Sequence, residues 1–319
     1  MPLLITRQKL NQILKQQSPI VKAAFLEAFD RIRDEATLKA VAEAIATGDV
    51  NEVMRVLSIG RLTFRPFDEA LRDAYKAAGA EAAATVKMTF DDRADRSQAW
   101  FAALTGELIQ GLTDELRDTV IETVARGIAE GLNPSQTARR VRSGLGLTQQ
   151  QAEWVANARQ ELASADTMAG YLERTKRDGR FDTAVTNAIK RGRDLSGDQI
   201  ERMVSAYERR LIGMRAENIA RTETLSAISQ GQYDAADQMI AEGRVDRNDI
   251  RYKWDATGDS RTRSSHAAMH GQEVMHGEAF IAPSGARLRH PRDRSLGAPA
   301  SETANCRCWV DTVMSDGAV

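Results

Sequence analysis

Residues 254–274 read WDATGDSRTRSSHAAMHGQEV, and residues 305–310 read NCRCWV. The passage between them is punctuated by Pro283, Gly285, Pro291, Gly297 and Pro299. All four histidines of the 319-residue chain (His266, His270, His276, His290) and both cysteines (Cys306, Cys308) fall within 254–309. Turn formers at this density, between short alternating runs, fit a small α+β unit. The rest of the chain has a different texture: rich in alanine and patterned at helical spacing. The expected architecture is therefore mainly α, a long multi-helix N-terminal body with a small α+β C-terminal domain. The body is expected over residues 1–213. The C-terminal domain is expected over 214–319, with a helix at 214–240 and an α+β head at 250–313.

Within the head, Arg251–Asp255 alternates like a strand. Asp259 or Ser260 is placed to cap a short helix through Met269, stopped by Gly271. Phe280-Ile281 and Arg287-Leu288 flank a Pro-Ser-Gly turn and read as a hairpin, and Cys306–Val310 reads as a closing strand. Trp254 and Trp309 are the expected core of so small a unit.

Moving upstream, Met214–Ile240 reads as one long helix. Ser196 with Gln199 forms a capping box for a separate helix carrying Ile200, Met203, Val204, Tyr207 and Leu211 on one face. Thr148 with Gln151 forms another box. It opens a heptad-like seam through Val155, Ala158, Leu162, Ala165, Ala169 and Leu172, which suits helix pairing within the chain or between copies. Asn133-Pro134 starts a helix that ends near Leu145. From Leu104 to Ile128 an apolar residue recurs at every fourth position. Each step of four overshoots a turn by roughly 40°, so this stripe predicts a helix buried by several neighbours or bent near Gly106 and Gly111. Pro66 opens a helix to about Met88. Ser18-Pro19 predicts a helix start, separate from a short helix over 3–15.

The formal net charge of −1 carries no general signature of a nucleic-acid or membrane-surface protein. No run approaches the ~18 apolar residues of a membrane span, and the N-terminus lacks the apolar core of a signal peptide. Residues 136–159 resemble a helix-turn-helix in outline, but the second helix carries one arginine and no lysine, a poor match to phosphate contacts. Basic residues between Arg174 and Arg193 leave non-specific DNA contact as a further reading. No phosphate-binding glycine loop, nucleophile elbow or HExxH helix is present. Cysteines separated by one residue do not make a disulfide framework, and reduced thiols are expected.

His266 and His270 lie four apart, a spacing that puts both rings on one face of a helix. Cys306 and Cys308 lie two apart, so on a strand both thiols share a side. Together they suit a tetrahedral zinc site, with Asp255 and Asp259 as spare carboxylates. The alternative is a small domain in which the same side chains pack or hydrogen-bond without metal. Such a site would be structural, since four protein ligands leave no position for water. Arg261 and Arg263 are expected to pair with Asp255 and Asp259 and lock the strand-to-helix turn.

These motifs, taken in order, resemble the Mu-F-like minor head proteins of tailed bacteriophages, also called phage head morphogenesis proteins. The resemblance is carried by Ala220-Arg221-Thr222-Glu223, Trp254-Asp255, Asp259, Arg261-Thr262-Arg263, His266, Gly271, Phe280, the Gly285/Leu288/Pro291 passage and Asn305-Cys306-Arg307-Cys308. It spans roughly residues 214–310. It implies a non-enzymatic virion protein, made in the host cytoplasm and placed inside the head near the portal vertex. Its implied partners are the portal protein and a major capsid or scaffolding protein, and its implied tasks are head assembly and DNA delivery. His270 lies outside the motif, so the ligand set that the resemblance implies is His266, Cys306 and Cys308, completed by a carboxylate or water. The rival from another class is a metal-dependent nuclease or hydrolase, or a toxin-like effector, housed in the C-terminal domain.

Overall fold

A computed structural model describes residues 3–58 and 61–315. In chain order the elements are α1 (Arg7–Glu35), α2 (Leu38–Ala46), α3 (Val50–Val56), α4 (Arg65–Ala84), α5 (Asp95–Ala129), α6 (Pro134–Gly144), α7 (Gln149–Leu162), α8 (Met168–Glu173), α9 (Asp182–Arg191) and α10 (Gly197–Ala241). The C-terminal part adds β1 (Ile250–Asp255), α11 (Ser264–Met269), β2 (Glu273–Met275), β3 (Phe280–Ile281), β4 (Arg287–Leu288), α12 (Ala300–Thr303) and β5 (Trp309–Met314). The chain is mainly α, with its strands confined to the C-terminal region, as the sequence texture predicts.

The chain divides into two compact units. One comprises Met1–Phe25, Arg65–Gly106 and Asn218–Val319, and the other Leu26–Phe64 and Glu107–Glu217. The second is all-helical. Its core joins Leu147, Val155, Ala158 and Leu162 to Met168 and Tyr171, Val185 and Ala188, and Met203, Val204, Tyr207 and Leu211. Capping boxes open α6 at Asn133 and α7 at Thr148, each satisfying two of the otherwise orphaned amides.

The first unit contains the sheet. Strands β2, β1 and β5 form one antiparallel sheet in that order, with Tyr252 opposite Thr312 and Asp255 opposite Trp309. Ile250, Tyr252 and Trp254 point into the core in alternation, while Arg251 and Lys253 face water. Trp254 and Trp309 are both buried, as expected of the head's largest side chains. Strands β3 and β4 pair as the predicted hairpin, Phe280 opposite Leu288. The N-terminus also joins this unit, with the Leu4 amide donating to the Thr312 carbonyl at 2.8 Å.

Five local expectations are corrected. Pro19 does not start a helix; it lies inside α1, a continuous 29-residue helix. The lost hydrogen bond and ring clash cost about 3 kcal/mol, and the buried residues on either side, Leu10 and Ile13 before it and Val21, Phe25 and Phe29 after it, offset that cost. The helices expected at 196–211 and 214–240 are one helix, α10, of 45 residues. The Ser196–Gln199 capping box does form, but Gly213 alone, at about 1 kcal/mol, does not interrupt it.

The seam expected through residue 172 breaks instead after Leu162. The Ser164 carbonyl takes the amides of Thr167 and Met168, Asp194 takes that of Ala165, and Ala169 turns to solvent. On α5 most of the every-fourth stripe is buried (Leu104, Leu112, Leu116, Val120 and Val124), but its end departs from the expectation: Ile128 is exposed, and Thr105 and Thr119 join the buried face. Their hydroxyls bond back to Phe101 and Glu115, at 2.6 and 2.8 Å, so a threonine fills an apolar position without an orphaned group. Finally, the closing strand starts at Trp309, leaving Cys306 and Cys308 on the turn before it.

Candidate metal centre

The NCRC turn exists because Asn305 takes a left-handed conformation (φ 55°), which asparagine tolerates better than most side chains. Its amide donates to Thr222 Oγ1 on α10 at 3.2 Å. Bending here, and not strand alternation, turns both sulfurs toward α11. His266, inside α11 and buried, presents Nδ1 at 3.5 Å from Cys306 Sγ and 3.5 Å from Cys308 Sγ. The three donor atoms all lie within 4.8 Å of one another.

The opposite ring nitrogen, His266 Nε2, lies 3.0 Å from Glu302 Oε2. Glu302, on α12, is held in turn by Ser265 Oγ at 2.9 Å and Ser284 Oγ at 2.8 Å. Burial works against its charge, but these hydroxyls and His266 outweigh it and hold the carboxyl below its ordinary range. The Trp254 ring packs edge-on against His266, with centroids 5.3 Å apart.

Behind the turn lies Arg292, fully buried and itself left-handed (φ 71°). Its guanidinium donates to the carbonyls of Cys306 (3.1 Å) and Cys308 (2.8 Å), to the Leu225 carbonyl (3.3 Å) and to Ser229 Oγ (2.9 Å). It also lies 3.9 Å from Cys306 Sγ. A hydrogen bond from the Cys308 thiol, reinforced by His266 and Arg292, holds the Cys306 thiol well below its usual range. The same hydrogen bond, together with burial, pushes Cys308 up.

The donors fit zinc. Zinc–sulfur and zinc–nitrogen bonds of about 2.3 and 2.05 Å at a tetrahedral angle place S and N roughly 3.5 Å apart, the separation found here on both arms. The imidazole oriented through its far nitrogen by a carboxylate is the usual support of a metal-bound histidine. A dication with two thiolates is neutral overall, and the nearby charges of Arg292 and Glu302 offset one another.

The other residues singled out in the sequence take different places. His270 caps the end of α11 outside the helix, with a side chain 59% exposed, and accepts from the Ala256 amide at 3.2 Å. It shares no face with His266 because the helix stops at Met269. Asp259 does not reach the sulfurs; it forms a two-armed ion pair with Arg307, which holds its carboxyl well below the ordinary range. The expected pairing of both arginines with Asp255 and Asp259 is kept only for Arg261 with Asp259. Arg261 lies 3.8 Å from Asp259, Arg263 donates to the Ala304 carbonyl, and Asp255 pairs with Arg7 from α1. Glu223 is buried and bound to Arg294 at 2.7 Å, and Arg221 is exposed. Gly271, at φ 81°, occupies a conformation other residues resist, and its amide returns to the Trp254 carbonyl at 2.8 Å.

Sequence reasoning missed Glu302 and Arg292. Neither has a local signature: Glu302 follows Pro299 in a one-turn helix, and Arg292 sits in a turn. Their partners lie 14 to 67 positions away along the chain.

Comparison with known families places a match on this region. Residues 179–311 match the family model described as Phage Mu protein F like protein. The matched span contains Arg221, Thr222 and Glu223 on α10 and the whole His266/Cys306/Cys308 cluster with Arg292 and Glu302. No curated protein and no solved structure matches the chain.

Proposed function

We propose that this chain, Mu-F-like over residues 179–311, is a minor head morphogenesis protein of a tailed phage or prophage. In this reading it is made in the host cytoplasm and becomes part of the virion, inside the head near the portal vertex. It docks on the portal protein, with a major capsid or scaffolding protein as a further partner, and assists head assembly and DNA delivery. The observation that carries the reading is the family match, which falls on the part of the chain where the motif residues contact one another. Thr222 holds Asn305, Glu223 holds Arg294, and Arg292 ties the NCRC turn to α10.

The proposed role of the cluster is structural and non-enzymatic. His266, Cys306 and Cys308 would hold zinc, and zinc there would fix the turn against α11. Glu302, the carboxylate nearest the cluster, is already engaged by Ser265, Ser284 and His266, which suits it to orienting a ligand more than to activating water. No helix among the described residues is long and apolar enough to cross a membrane.

The test is co-expression of the full-length chain with the portal protein of the same phage genome, and mass spectrometry of purified virions. Co-elution with the portal and presence in the virion are expected. Absence from virions would remove the reading, and failure to associate with the portal would remove the docking part of it.

One observation favours the hydrolase reading as a second possibility. The cluster borders a small cleft of about 10 Å³ lined by Thr257, Arg261, Arg263, Asn305 and Arg307, and three protein donors leave one coordination position for a bound water. DNA or peptide hydrolysis that disappears in His266→Ala would support it. Non-specific DNA contact through residues 174–193 has less free charge than the sequence suggests, because Arg174, Arg177 and Arg180 pair with Glu161, Asp182 and Asp178.

A further inference from the structure

We propose that a second site, remote in composition from the cysteine cluster, binds a phosphate-class oxyanion between Arg247 and Arg289. An open cleft of about 280 Å³ in the first unit is lined by these two arginines with Arg96, Tyr233, Asp237 and His276. Its floor is rigid. Tyr233 stacks on His276, with centroids 4.8 Å apart, and on Tyr252 at 5.5 Å. His276 is pinned at both nitrogens, by Tyr252 OH at 2.7 Å and by Asp237 Oδ1 at 2.8 Å.

The acidic side of the cleft is paired with Arg96. Arg96 lies 2.5 Å from Asp237 and 3.5 Å from Asp234, and it spans the Tyr233 ring at 5.8 Å. That leaves Arg247 and Arg289, neither of which has a carboxylate partner among the described residues. Arg247 Nε donates to the His276 carbonyl at 3.0 Å, which fixes the plane of its guanidinium. Arg289 lies 6.0 Å from the Tyr233 centroid.

Space for this arrangement is made by Gly277. A Cβ there would come within 1.7 Å of Arg247 Nη2, so a side chain at this position and the observed guanidinium exclude one another. Arg247, oriented by the His276 carbonyl, and Arg289, beside Tyr233, supply guanidinium donors of the kind that recognise a tetrahedral oxyanion through charge-assisted hydrogen bonds. The volume exceeds that of a single phosphate, so the phosphate can belong to a free nucleotide or to a polynucleotide backbone.

Both sources are tested on the full-length protein at low ionic strength, by calorimetric titration with inorganic phosphate, a 5′-mononucleotide and a short DNA duplex. Saturable phosphate binding is expected, weakened roughly tenfold or more by Arg247→Ala and by Arg289→Ala, and unchanged by Arg55→Ala on α3. Asp237→Asn, which retains an acceptor for His276 and removes a negative charge, is expected to tighten binding, a change that misfolding would not produce. Displacement of phosphate by the duplex assigns the backbone source; displacement by the mononucleotide alone assigns the free one. Absence of saturable binding of all three probes overturns the proposal, as does binding that both arginine substitutions leave intact.

Discussion

Replacing Arg292 with methionine tests the claim that the metal cluster is held together from behind. Methionine keeps the packing of the aliphatic stem and ends near the position of Nε, so the four donors to Cys306 O, Cys308 O, Leu225 O and Ser229 Oγ are lost with the guanidinium. Each buried acceptor left without a partner costs about 1–3 kcal/mol. Removing the desolvated guanidinium, whose charge burial opposes, returns part of that. The net prediction is a loss of about 4 kcal/mol, a large fraction of a typical domain stability of 5–15 kcal/mol. The chain has two units, so a single global unfolding energy is not the right readout.

Native-state hydrogen exchange gives a local one. Amides near 225–229 and 305–309 should lose roughly a thousandfold in protection, corresponding to about 4 kcal/mol. Amides in the core of the second unit, such as Val155 and Leu211, serve as internal references. Arg292→Lys should recover part of the loss, since an ammonium reaches fewer of the acceptors. A change below about 1 kcal/mol in Arg292→Met would mean that the hydrogen bonds do not anchor the turn, and the account of the site would fail with it.

Three further outcomes are expected. Elemental analysis of the purified chain should find near-stoichiometric zinc that is lost in Cys306→Ser and in His266→Ala; Glu302→Gln should keep the metal with affinity reduced about 10- to 100-fold, and no zinc above background in the parent chain would eliminate the metal reading. Glu208 is buried, and burial, only partly opposed by a hydrogen bond from Ser143, raises its carboxyl from 4.5 to about 7. The folded state thus binds the proton more tightly than the unfolded state: the stabilisation is complete below pH 4.5 and is lost as pH rises to about 7, up to about 3 kcal/mol in all. Denaturation midpoints of Glu208→Gln should lack this slope, and a slope equal to that of the parent chain would refute the assignment. Gly231→Ala should destabilise the first unit by about 1–3 kcal/mol, because a Cβ there would meet the Tyr75 carbonyl of α4 at 2.4 Å; an unchanged melting temperature would contradict so close an approach.

Much of the fold was legible because it rests on local chemistry. Capping boxes at Asn133, Thr148 and Ser196, the alternation of Ile250, Tyr252 and Trp254, and the Pro283–Gly285 turn each specify their element within a few residues. The failures share a cause. Pro19, at about 3 kcal/mol, and Gly213, at about 1 kcal/mol, both disfavour a helix interior, and neighbouring burial overrode both. Ser164 and Thr167 ended α7 through hydrogen bonds that an apolar pattern does not register. Thr105 and Thr119 were passed over on α5 because their hydroxyls, satisfied within the helix, make them apolar in effect.

At the candidate site the donors were legible and their support was not. His266, Cys306 and Cys308 announce themselves by residue type, but a strand and a longer helix were expected to align them. The fold uses turns instead, with positive φ at both Asn305 and Arg292. Non-glycine residues held in that region cost energy, so the surrounding contacts must outweigh the strain. Those contacts come largely from α10, where Thr222, Leu225 and Ser229 meet Asn305 and Arg292. It follows that the helix motif and the NCRC motif are one mechanical unit. A ligand that tightens the cluster must also tighten residues 222–229 of α10, because their side chains and carbonyls are what the turn is fastened to.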